Sequence, residues 1–175
     1  MKNYKQNLNQ IRAFIFDFDG VFTNGKIILT SKGDVYREIN VKDGFSIQFA
    51  LKKGYKIAVI TAGTSNEIKK KLVNLGITDV YLGANEKGEF FKDFVKKEKL
   101  KKNEILFVGD DIPDIELMER VGVSVCPNDA AIDVKKVADY ISYKKGGDGC
   151  IREIIEQVLR VQNKWIWIWK NLNIK

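Results

Sequence analysis

Histidine is missing altogether from the 175 residues. Its absence removes imidazole acid–base catalysis, Ser-His and Cys-His nucleophile pairs, and zinc held by histidine. Cysteine occurs only as Cys126 and Cys150, without CxxC spacing. Neither a disulfide framework nor a cysteine zinc site is therefore expected. No apolar run approaches the roughly 18 residues that a membrane-crossing helix needs, and the opening MKNYKQNLNQ has no apolar stretch of the secretory kind. A cytoplasmic protein without membrane contact is the expectation. Acids are outnumbered, giving a formal charge of +7. The lysines are nonetheless interleaved with acids and apolar residues, as in EIKKKLVNLG and KDFVKKEKLKKNE. That pattern predicts solvated helix faces, and no arginine-rich arm or nucleic-acid motif accompanies it. Chemistry in this chain must rest on carboxylates, lysines, hydroxyls, backbone groups or a metal.

What is present is a regular alternation. Short apolar runs at 12–17, 55–61, 79–83, 104–110 and 122–127, with a weaker one at 138–142, read as strands. Helical patterns lie between and after them, at 44–53, 65–75, 87–99, 112–121, 129–136 and 149–163. Near-continuous apolar strands separated by helices predict an α/β fold, with a parallel sheet covered on both faces. One segment breaks the alternation. GKIILTSKGDVYREIN (25–40) reads as two strands joined by the turn SKGD, a β-hairpin flap. Residues 1–164 are expected to form one domain. The tail 165–175 alternates Trp165, Trp167 and Trp169 with isoleucine, which suits an extended segment docked on a partner subunit.

The stretch FIFDFDGVFTNG (14–25) places Asp17 and Asp19 at the end of an apolar strand. An unpaired buried carboxylate is costly, so something cationic should meet them. In an open parallel sheet ligands bind beyond the carboxyl ends of the strands. Three further strand ends then matter. Thr61 closes a strand in ITAGTSN, Lys87 follows one in GANEKGEFF, and Asp110 and Asp111 follow another, with Asp114 one turn on. Clustered carboxylates repel each other unless a hard cation joins them, and oxygen ligands without histidine point to Mg²⁺. Thr61 and Lys87 could hold the remaining oxygens of a phosphoryl group. A carboxylate nucleophile and a second acid two residues on suit two-step phosphoryl transfer.

DFDGVFT, VITAGTS, GANEKGEFF and VGDDIPD resemble, in order, the four motifs of the haloacid dehalogenase superfamily of phosphatases. The similarity runs from about Arg12 to Lys164. It is closer to the capless 3-deoxy-D-manno-octulosonate 8-phosphate (KDO 8-phosphate) phosphatases, through the hairpin, NVKDGFSI, YLG before the lysine, and GGDGCIREIIEQVLRVQNKW. The resemblance implies a Rossmann-like sheet with helices on both faces and no large cap domain. It implies Asp17 as nucleophile and Asp19 as general acid/base, which also gives a backbone carbonyl to Mg²⁺. It makes Asp110 the third metal ligand, with Asp111 and Asp114 in support, and Thr61 and Lys87 the phosphate-binding pair. Asn40, Lys42, Asp43 and Gly44 match the family's substrate-contacting segment. A homotetramer is implied, with associated hairpins and a neighbour's tail over the site, acting on a phosphorylated sugar acid in lipopolysaccharide precursor synthesis.

The sequence departs from the family at five positions. Thr61-Ala62-Gly63 stands where Thr-Gly-Arg is usual, removing an arginine credited with sugar-acid recognition, and Lys42, Lys71 and Gln48 stand where arginine is common. Lysine cannot reproduce arginine's two-point carboxylate contact. KDN 9-phosphate, a nine-carbon sugar-acid phosphate, is the alternative substrate. A receiver-like signalling module would combine similar residues, but with its acceptor on a middle strand rather than the first. A scaffold protein that has lost turnover would not need the full set of motifs.

Overall fold

Phe14 and Phe16 lie on one side of strand β1 (Ala13–Phe16), and Ala13 and Ile15 on the other. This period of two makes β1 a divider between two cores. The computed structural model describes residues 4–165. In it β1 pairs in parallel with β4 (Lys56–Ile60) on one side and β6 (Ile105–Val108) on the other. With β5 (Asp79–Tyr81), β7 (Val123–Cys126) and β8 (Tyr140–Ile141) the sheet has the order β5-β4-β1-β6-β7-β8, and every pair is parallel. The four long central strands are buried end to end apart from Lys56. That is the signature of a sheet covered on both faces.

The Phe14 side packs against helices α1 (Tyr4–Asn7), α2 (Val41–Lys52), α3 (Asn66–Asn74) and α7 (Cys150–Val161). The Ile15 side packs against α4 (Lys87–Glu98), α5 (Ile115–Met118) and α6 (Ile132–Val137). In α7 the buried residues Cys150, Ile151, Ile154, Ile155, Val158 and Leu159 recur at helical spacing and form its core stripe. Both cysteines are buried free thiols.

Several boundaries differ from the sequence reading. The expected helix 112–121 begins as a 3-10 turn, Ile112–Asp114, and α5 proper covers only four residues. Pro113 near the start and an Asp111 side chain that accepts from the Ile112 N–H favour the tight turn. The hairpin is present but short. Strands β2 (Ile28–Leu29) and β3 (Val35–Tyr36) form two antiparallel pairs, Ile28 with Tyr36 and Leu29 with Val35. Both strands are exposed, so no core extends the ladder. In the tail, Trp165 is buried edge-on to Phe49 at 5.1 Å, with the Arg152 and Arg160 guanidinium groups over its ring. Trp167 and Trp169 lie outside the described residues.

Candidate active site

The strand order reverses at β1: the chain proceeds outward through β4 and β5, then returns to β1's other edge as β6. Such a switch point leaves a crevice beyond the strand ends. Asp17 stands there, one residue past β1, its N–H bonded to the Val108 carbonyl at 2.9 Å. Asp110 stands two residues past β6. Carboxylate oxygens of Asp17, Asp110 and Asp114 all lie within 4.8 Å of one another. Lys87, the first residue of α4, enters the same cluster. Its Nζ is 2.9 Å from Asp17 Oδ1 and 2.6 Å from Asp114 Oδ1. The side chains of Lys87, Asp17 and Asp114 are 5%, 12% and 1% exposed, so these charges act on each other with little screening by water.

Two glycines allow this convergence. Gly20 has φ +82°, and a Cβ there would overlap the Asp110 carboxylate. A Cβ on Gly109 would collide with the Asp114 side chain. Asp114 also binds the loop that carries Asp110, its Oδ2 accepting from the N–H of Asp110 at 2.9 Å and of Asp111 at 3.3 Å.

The electrostatics show what the cluster lacks. Burial, then the Asp114 charge, raise the Asp17 carboxyl from 3.8 to about 6, against the pull of Lys87. Burial, then Asp17 and Asp114, raise Asp110 to about 7. Burial works against the Lys87 ammonium, but Asp17 and Asp114 outweigh it and hold its pKa above the usual lysine value. One ammonium thus leaves three carboxylates under-compensated, and a hard divalent cation suits an all-oxygen set of this kind.

The other predicted residues divide. Thr61 is buried at the end of β4, and its Oγ1 accepts from the Gly63 N–H at 3.1 Å. Asp19 is not among the converging carboxylates. Its carboxylate is held by Arg37, Nε to Oδ1 at 2.7 Å and Nη2 to Oδ2 at 3.2 Å, and Thr23 Oγ1 donates to Oδ1 at 3.4 Å. Asp111 is exposed and caps the 3-10 turn. Asn40 caps α2 by accepting from the Lys42 N–H at 2.9 Å. Asn40 and Lys42 line a cavity of about 460 Å³ between the start of α2, residues 143–149 and α7, and no member of the acid cluster lines it.

Asp43 and Gly44 take packing roles. Gly44 is buried, and a Cβ there would press on Leu75 at 3.2 Å. Asp43 is 1% exposed, and its Oδ1 accepts from the Arg152 N–H at 2.8 Å. It thereby caps α7, whose own N-cap, Gly149, has no side chain. Its Oδ2 has no partner, and burial raises the carboxyl to about 6. The preceding turn bears on the site loop: the Gly147 N–H donates to the Val21 carbonyl at 3.0 Å, and a Cβ on Gly146 would overlap the Gly20 carbonyl.

Sequence reading missed Arg37 and Thr23. Thr23 is fully buried inside the first motif, where its Oγ1 accepts from the N–H groups of Gly20 and Gly25, both at 3.2 Å. The only local signal for Arg37 was that it is the one arginine of the hairpin segment, beside Lys26 and Lys32.

The profile of the haloacid dehalogenase-like hydrolases matches residues 65–154. Over 154 residues the chain is 35% identical to 3-deoxy-D-manno-octulosonate 8-phosphate phosphatase KdsC of Escherichia coli strain K12, covering 88% of this chain and 82% of that protein. The crystal structure of the 3-deoxy-D-manno-octulosonate 8-phosphate phosphatase from Yersinia pestis superposes with a TM-score of 0.91 at 29% identity, covering 93% of this chain and 88% of that one. The enzyme from Moraxella catarrhalis, in complex with magnesium ion, phosphate ion and KDO, gives a TM-score of 0.89 at 29% identity, covering 93% and 94%. With its motifs at the strand ends and these relatives across most of its length, the chain belongs to the haloacid dehalogenase-like hydrolases, in the family of the 3-deoxy-D-manno-octulosonate 8-phosphate phosphatases.

Proposed function

We propose that the chain is a Mg²⁺-dependent phosphatase that hydrolyses KDO 8-phosphate to KDO and phosphate, in lipopolysaccharide precursor synthesis. The observation that carries this reading is the buried convergence of Asp17, Asp110 and Asp114 on Lys87 at the switch point of the sheet. Asp17 attacks phosphorus, the bond to the sugar oxygen breaks, and Asp19 gives that oxygen a proton. Water then attacks the aspartyl-phosphate, Asp19 takes a proton back, and the Asp17 carboxylate is restored. Thr61 and Lys87 hold phosphoryl oxygens. The side chains of Asp17 and Asp110 and the Asp19 backbone carbonyl would hold Mg²⁺, which when bound supplies the positive charge that the cluster lacks.

Among the described residues no large cap domain covers the site, so closure against water would come from assembly. We read the protein as a homotetramer joined through the hairpin. Ile27, Ile28, Leu29, Val35 and Tyr36 are all exposed on it, an apolar surface that calls for a partner. Replacing Leu29 and Tyr36 with serine should shift the sedimenting species to a smaller one; an unchanged species would remove the hairpin from the interface. A cytoplasmic location fits two free thiols. Among the described residues no helix is long and apolar enough to cross a membrane.

The test is phosphate release from KDO 8-phosphate, KDN 9-phosphate and p-nitrophenyl phosphate, with and without Mg²⁺. A Mg²⁺-dependent preference for KDO 8-phosphate supports the reading. Preference for KDN 9-phosphate would keep the chemistry and change the sugar. No turnover by folded, Mg²⁺-bound protein would refute it.

A further inference from the structure

Both oxygens of the Asp19 carboxylate are engaged by neighbouring donors. Both of its oxygens accept from Arg37, at 2.7 and 3.2 Å, and Thr23 adds a third donor. It is also absent from the set of carboxylates that converge with Asp17. Arg37 follows β3, so its guanidinium is carried by the hairpin rather than by the packed sheet. The two side chains are 39% and 21% exposed, a setting in which an ion pair is weak enough to yield to a competing anion. There is also room beside it. A Cβ on Gly63 would lie 3.4 Å from Thr61 Oγ1 and 3.9 Å from Asp19 Oδ2, so the absence of a side chain at position 63 leaves that flank of Asp19 open.

We propose that Arg37 is a latch on Asp19, a positioning and specificity residue that the carboxylate of the substrate releases. In the free enzyme the fork of Arg37 grips the Asp19 carboxylate. A sugar-acid substrate brings a second carboxylate of the same shape, to which the guanidinium can transfer with two-point geometry. Once released, Asp19 can take up a proton from water, give it to the departing oxygen and then accept one from the attacking water. A phosphate ester without a carboxylate offers only its phosphoryl group, which Thr61 and Lys87 already serve, and leaves the latch closed. This inference rests on the phosphatase reading for its kinetics, but not for its geometry.

The test compares wild type, Arg37→Gln and Arg37→Lys on KDO 8-phosphate and on sorbitol 6-phosphate, an alkyl phosphate without a carboxylate. Arg37→Gln should lower kcat/KM for KDO 8-phosphate about 10- to 100-fold, the scale of a lost charged hydrogen-bond pair, and through KM. It should raise kcat for sorbitol 6-phosphate, where nothing opens the latch in the wild type. Arg37→Lys should lie between, because an ammonium cannot grip both oxygens. Equal losses on both substrates would mean that Arg37 merely supports the hairpin and would overturn the proposal, as would an unchanged KM for KDO 8-phosphate. The Arg37 Nε–H resonance, assigned by its loss in Arg37→Lys, gives a readout independent of turnover. It should shift in Asp19→Asn and on adding KDO; no response to either would refute the latch. Wild-type protein that hydrolyses no phosphate ester would refute the phosphatase reading, while the resonance still judges the latch.

Discussion

Asp43→Asn should make this protein more stable at neutral pH, although it removes the charge that caps α7. Asp43 lies 1% exposed, with Oδ1 on the Arg152 N–H and Oδ2 without a partner. Its carboxyl is raised from 3.8 to about 6, chiefly by burial, with the Arg152 N–H and charge opposing. The folded state therefore holds this proton more tightly than the unfolded chain does. Stability from this group is full below pH 3.8, falls as pH rises toward 6, and is level above about 7. Ionising the buried carboxyl costs the folded state about 3 kcal/mol at pH 7.5. Asparagine keeps the accepting oxygen of the cap and removes the charge, but leaves an amide to desolvate, so about 1–2 kcal/mol should return. In a chain of this size that raises Tm by about 2–8 °C. The assay is thermal unfolding of wild type and Asp43→Asn from pH 4.5 to 8. The gain should be present at pH 7.5 and vanish near pH 4.5, where the wild-type carboxyl is neutral. Asp43→Ala should lose the cap at every pH. A lower Tm for Asp43→Asn at pH 7.5, or a difference that ignores pH, would refute the reasoning.

The remaining predictions concern the acid cluster. Asp17→Asn should abolish turnover and any phosphoryl adduct seen by intact mass, while unfolding stays cooperative; activity like the wild type's would remove Asp17 as nucleophile. Because Asp17 and Asp110 hold protons up to about 6 and about 7, Mg²⁺ binding should release protons below pH 7 and weaken steadily toward pH 5. Calorimetry in buffers of different ionisation enthalpy measures this, and a binding heat that is the same in every buffer at pH 6 would contradict it. Gly20→Ala should cost roughly 2–4 kcal/mol in urea unfolding or lower Mg²⁺ affinity at least tenfold, because its φ is +82° and its Cβ meets the Asp110 carboxylate; a variant unchanged in both would mean that the loop can shift at little cost.

How far the sequence carries depends on the range of the interaction involved. Helix α4 was legible because its buried positions recur at helical spacing, and strand β1 because it is a short continuous apolar run, and each pattern lies within a dozen positions of chain. Asp17, Thr61, Lys87 and Asp110 were legible because a strand end is a local feature, and parallel topology sends such ends to one edge of the sheet. The short 3-10 start of the 112–121 segment was not, since one proline and one capping aspartate outweighed a helical pattern there. Asp43 shows the limit more sharply. Read by its neighbours in NVKDG it resembles a ligand contact, but its hydrogen bond goes to Arg152, 109 residues away.

By itself the sequence determined the class of sheet, the order of strands along the chain and the chemical groups at their ends, since these follow from periodicity and from the residues at hand. Only the tertiary structure decided which groups share a charge. It joined Lys87 to Asp114 as well as Asp17, set Arg37 on Asp19, and pressed the Gly146–Gly149 turn against the loop at Gly20. Those pairings depend on how the hairpin and the helix starts cross the edge of the sheet. Burial, which sets the strength of each charge, exists only once the chain has closed around it.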